Sequence, residues 1–174
     1  FGTGKPVRNV LFALLLLPLL GAAQSTLIPL LGWATNARPD LVLVVVLSWN
    51  LASPHAESIL WALIGGLALD ALSGGPMGTT VMALLTATVL ANFMSARVWE
   101  SHIFLRIAVA VAGSVLYYLV YSLVLTFAGW RTYWMSALVS IFLPTAALNT
   151  GLMLLLFPPA RWLATRISPR HIGM

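Results

Sequence analysis

The sequence predicts an all-α integral membrane protein, with six transmembrane helices forming one domain over residues 1–174. Three observations carry that expectation. Hydrophobic residues make up 60% of the 174 and charged residues 7%, against roughly 25% charged in a soluble domain. No soluble core of this size could hide so much apolar surface. Several uncharged runs reach the scale of the ~20 residues that a helix needs to cross a bilayer. The nine Lys and Arg residues, which give a net charge of +5, fall mostly in short connections between those runs. There they set topology and meet anionic lipid rather than nucleic acid.

In chain order, residues 9–31 are uncharged and would span about 34 Å as helix one. The run exceeds the core of a signal peptide, about 7–15 residues, so it reads as a retained helix. Pro18 and Pro29 remove backbone donors and are expected to kink it or end it early. Leu41–Ala52 follows Arg38-Pro39-Asp40, but this stretch reaches only about 18 Å, short of a hydrocarbon core of about 30 Å. Helix two is therefore expected to be short, broken or partly re-entrant. Helix three is placed at 58–73 and helix four at 77–96, joined by a minimal turn that makes them a tight antiparallel pair. Helix five covers 107–129 and helix six 132–157. Beyond Pro158-Pro159, residues 160–167 set Trp162, Leu163 and Ile167 against Arg161 and Arg166, the pattern of a short interfacial helix.

Basic residues concentrate in cytoplasmic loops. A cytoplasmic N-terminus and six helices put Lys5, Arg8, Arg97, Arg106, Arg161, Arg166 and Arg170 inside, and Arg38 and Arg131 outside. Trp33, Trp130 and Trp134 then fall at outer helix ends, and Trp49, Trp61, Trp99 and Trp162 at inner ends, as an aromatic belt requires. Both termini are expected in the cytoplasm.

Asp70 is the residue that most needs an explanation, because a carboxylate at membrane depth is costly. One reading tucks it beneath the interface, bonded to turn amides. A second pairs it with a group on a neighbouring helix or another protein, with Arg38, Asn36, Thr79 and Tyr133 as candidate donors. Ion transport would need further polar stations along a path. Ala62, Gly66, Asp70, Gly74 and Gly78 recur every four residues, a ridge of small side chains that would let two helices approach closely. The alternative is that Gly74-Gly75-Pro76 ends helix three and the ridge stops at Asp70.

Catalytic signatures are missing from the sequence. Asp40 and Asp70 raise the idea of an aspartyl pair, but no glycine-rich aspartate motif accompanies them, and Arg38 is the simpler partner for Asp40. There is no cysteine, so there is no thiolate nucleophile or disulfide framework. His55, His102 and His171 lack metal-ligand spacing. Asn50, Asn92 and Asn149 read as interhelical hydrogen-bond formers. Tyr117, Tyr118 and Tyr121 read as packing residues with bonded hydroxyls. Neither an enzyme nor a cofactor is expected.

Pro39-Asp40-Leu41 opening a short helix two, then Gly66-xxx-Asp70 leading to Gly75-xx-Gly78, inside a six-helix chain of this length, resembles the bacterial rod-shape-determining MreD family. Length and layout extend the resemblance over nearly the whole chain, while its distinctive residues lie between positions 39 and 80. Gly65 and Gly74, which double the glycines, and the shortness of helix two depart from that pattern. The resemblance implies a non-catalytic scaffold of the cell-elongation machinery in the bacterial cytoplasmic membrane. The implied partner is MreC, a single-pass protein, within a wider assembly of RodA, a penicillin-binding transpeptidase and MreB. Arg38, Pro39, Asp40, Gly66, Asp70, Gly75 and Gly78 are its candidate structural or partner-binding residues. The family is also similar to the six-helix substrate-binding subunits of energy-coupling-factor transporters, which implies a second possibility, a vitamin-binding transporter subunit.

Overall fold

The computed structural model describes residues 4–30, 38–52, 55–96, 103–131 and 134–167. They form α1 (Gly4–Leu30), α2 (Leu41–Ala52), α3 (His55–Ser73), α4 (Thr79–Ser95) and α5 (Ile103–Phe127), then α6 (Trp134–Ala137), a π-helical turn (Leu138–Phe142) and α7 (Leu143–Ile167). The last three run end to end as one rod, so the described chain is six helical rods. The far part of α1 and α5, the end of α3 and the starts of α2, α4 and α7 all line one cavity, so successive rods run in opposite directions.

The helices around the outside each bury one stripe. On α1, Asn9, Ala13, Leu17 and Gly21 face inward at four-residue spacing, while Leu11, Leu15 and Leu19 are exposed. On α3 the inward positions are Ser58, Trp61, Ala62, Gly65, Gly66, Leu69 and Asp70, the alternating three- and four-residue step of a helix face. In a bilayer the exposed leucines are where lipid contact belongs.

The short α2 is unbroken and central. It touches α1, α3, α4, α5 and α7, and all its residues from Val42 to Leu51 except Val45 are buried. A helix clad in protein on every side needs no bilayer-length span, which is why its 12 residues suffice. Close packing around it relies on small residues: a Cβ on Gly113 of α5 would lie 2.8 Å from Leu47 Cδ1.

Three expectations are corrected here. Helix six does not end at Phe157, nor does a separate interfacial helix follow, because α7 continues through Pro158 and Pro159 to Ile167. Contacts on both sides of the proline pair hold it: the Arg106 guanidinium stacks on Phe157, and Arg8 donates to the Arg166 carbonyl at 3.1 Å. Trp49 and Trp61 do not belong to an aromatic belt. Both are buried and stack at 3.9 Å between α2 and α3, and Trp61 Nε1 donates to Asn9 Oδ1 at 3.1 Å. Their place in the core follows from the central position of α2. Finally, Pro18 and Pro29 do not end α1 early, since the helix continues to Leu30.

By length and composition, three helices could cross a membrane: Arg8–Thr26, Ile103–Phe127 and Leu138–Arg166. Leu41–Ala52 and Thr79–Ser95 are shorter apolar helices.

Candidate functional site: two capped helix starts around a polar cavity

The first turn of any helix leaves backbone N–H groups without intrahelical partners. In water these are solvated, but inside a bundle the protein must supply an acceptor. Gly78, at the N-cap position of α4, has φ +95° and no side chain to offer. Asp70, in the last turn of α3, supplies the acceptor from across the α3–α4 turn. Its Oδ1 accepts from the Thr80 amide at 2.8 Å, and its Oδ2 accepts from Gly78 at 2.8 Å and Val81 at 3.4 Å. The carboxylate is almost wholly buried and sits at the positive end of the α4 dipole. This is the turn-amide arrangement. Arg38, the described cationic candidate, is not its partner, Thr79 turns its hydroxyl to the Pro76 carbonyl, and Asn36 and Tyr133 lie outside the described residues.

The turn itself ends the small-residue ridge. Gly74 takes φ +64°, out of the helix, and Ser73 is the last residue of α3. Gly74 and Gly78 therefore do not extend the ridge, because this short reversal takes left-handed φ angles at both. Gly66 does mark a close approach: a Cβ there would lie 2.5 Å from Val81 Cα and 2.9 Å from its backbone nitrogen. Gly75 sits in the turn, its amide donating to Ser73 Oγ at 3.3 Å.

Asp40 plays the matching role at the start of α2. Its Oδ1 accepts from the Leu43 amide at 3.1 Å, the side-chain cap expected of an aspartate just ahead of an apolar run. Gln24 Oε1 takes the Val42 amide at 3.3 Å. The Asp40 amide donates to Asn149 Oδ1 at 2.8 Å, and Asn149 Nδ2 donates to Ser114 Oγ at 3.1 Å, joining α2, α7 and α5. The side chains of Gln24, Tyr117 and Tyr118 also lie against the Asp40 carboxylate. Its expected partner Arg38 forms no ion pair with it, and is held through its backbone amide, which donates to Thr145 Oγ1 at 3.4 Å.

Arg38, Pro39 and Asp40 line a cavity of about 380 Å³ together with Gln24, Thr80, Tyr117, Tyr118, Tyr121 and Thr145. The three tyrosines, read from sequence as packing residues, both pack and line the cavity: Tyr117 meets Tyr118 edge-on at 5.0 Å, and Tyr118 stacks on Phe142 of the π turn at 5.6 Å. Ile141 of the same turn also lines it. Pro144 has no N–H to return to Ser140, which loosens the helix ladder where the π turn forms. Gln24 and Thr145 were legible in sequence only as polar residues in apolar helices.

At the opposite end, Asn50 Nδ2 donates to Asn92 Oδ1 at 2.8 Å and to Ser58 Oγ at 3.1 Å. With Asn149 at the cavity end, Asn50, Asn92 and Asn149 are all interhelical hydrogen-bond formers. Among the described residues no three His, Asp or Glu side chains gather as metal ligands would. Hydroxyls, one carboxylate and one guanidinium around a cavity of this size can bind a small polar molecule.

A family model described as rod shape-determining protein MreD matches residues 7–167 of the chain. No solved structure matches it.

Proposed function

This chain belongs to the MreD family of rod shape-determining proteins, and from that premise we propose that it is a non-catalytic membrane scaffold of the cell-elongation machinery, with MreC as its direct partner. Through MreC it helps to organise lateral peptidoglycan synthesis in an assembly with RodA, a penicillin-binding transpeptidase and MreB. The family match across nearly the whole chain is the observation that carries this reading. The use of both outer carboxylates as helix caps supports it, since each is already committed to backbone amides at a helix start.

The proposed setting is the cytoplasmic membrane, crossed six times with both termini inside. The charge asymmetry supports that orientation: Arg8, Arg106, Arg161 and Arg166 lie at one end of the bundle, and Arg38 and Arg131 at the other.

The cavity favours a second reading, a substrate-binding subunit of a small-molecule transporter. Its roughly 380 Å³ falls within the range of ligand pockets. Depletion of the gene in a rod-shaped bacterium that depends on it separates the two. The scaffold reading expects cells to round up with vitamin uptake unchanged. Persistent rods with loss of uptake of one vitamin would replace it with the transporter reading.

A further inference from the structure

We propose that the pocket between the start of α5 and the end of α7 binds a phosphate anion, supplied by the headgroup of an anionic phospholipid. The pocket measures about 360 Å³ and is lined by Arg106, Phe157, Pro158, Arg161, Trp162 and Thr165. Two guanidinium groups face it and, among the described residues, no carboxylate does. Arg106 is held in place, its guanidinium lying 4.0 Å from the centroid of the Phe157 ring. Its Nε is buried and has no hydrogen-bond partner among the described residues. A guanidinium presents a planar fork of donors that matches the oxygens of a phosphate, and leaving a buried donor unmatched is costly. An anion seated between Arg106 and Arg161 would be held by the terminal N–H groups of the two guanidiniums that line the pocket.

The location selects a lipid headgroup. Arg106 and Arg161 lie within about a turn and a half of the ends of Ile103–Phe127 and Leu138–Arg166, two of the helices long and apolar enough to cross a bilayer. Trp162 is 56% exposed beside the pocket, and Phe104, near the start of α5, is 77% exposed. Exposed aromatic residues at helix ends sit at headgroup depth. Arg166 stacks over the Trp162 ring at 4.1 Å, adding a third positive charge beside the pocket. The inference needs only that the chain is embedded in a bilayer, and is independent of MreC.

The test uses the full-length protein in nanodiscs of phosphatidylcholine with and without phosphatidylglycerol, reading retained lipid by native mass spectrometry. Phosphatidylglycerol should be retained in preference to phosphatidylcholine. Arg161→Gln, at an exposed position where folding is not at risk, should lower that retention about fivefold, and adding Arg106→Gln should lower it by a similar factor again. Arg131→Gln at the opposite end should change nothing. Excess inorganic phosphate should leave the lipid in place; displacement would keep the anion site but make free phosphate its ligand. Equal retention of the two lipids without phosphate binding, or equal losses for Arg161→Gln and Arg131→Gln, would overturn the proposal.

Discussion

Asp70 substitutes for the side-chain cap that Gly78 cannot provide, and it does so from a different helix. The sequence singled out Asp70 because a carboxylate in an apolar run demands a partner. What it could not show was which partner, because the cap joins residues 8 to 11 positions apart across a turn whose path depends on left-handed glycines. For Asp40 the sequence pointed to Arg38 and passed over the local N-cap signal of an aspartate before Leu41–Ala52, while its neighbours Gln24, Tyr117 and Tyr118 come from distant helices. At position 70, Asp70→Asn would keep one acceptor oxygen but turn an NH₂ group toward amides that also donate. The expected loss is roughly 1–3 kcal/mol of stability, read as a lower unfolding temperature in detergent with the fold retained. An unchanged temperature would mean that the carboxylate does not carry this cap.

The pairing of α3 with α4 was legible at the level of elements, since a short turn and a glycine stripe both called for it. The fine structure of the stripe was not, because Gly74 and Gly78 serve the reversal while Gly66 packs against the α4 backbone. Gly66→Leu should therefore cost at least about 1–3 kcal/mol through overpacking. Leu67→Ala, on the exposed side of the same helix, should stay within about 0.5 kcal/mol. Thermal unfolding of the two variants side by side checks this, and equal melting would exclude the close approach. The position of α2 escaped the sequence because length speaks to crossing a membrane and not to burial by neighbouring helices. The continuity of α7 escaped it because proline rules describe a lone helix, whereas Arg8 and Arg106 tie this one on both sides of Pro158-Pro159.

Across the described residues, the alternating rods place a tyrosine-lined cavity at one end and four of the six described arginine side chains at the other. The absence of cysteine makes orientation directly measurable. Single cysteines at Gly2, Ser101 or Gly173 should resist an impermeant thiol reagent in intact cells, while one at Thr35 reacts; labelling of Ser101 from outside would reject the six-span arrangement. The fold class followed from composition and the family from a few residues between positions 39 and 80, whereas the cavity needed six rods brought together. The scaffold account itself is tested most directly by purifying the tagged full-length chain from its host's membranes in mild detergent and measuring co-purified proteins by quantitative mass spectrometry. The account predicts strong enrichment of MreC over an untagged control. A folded chain that brings no MreC, and instead carries a bound vitamin, would contradict it.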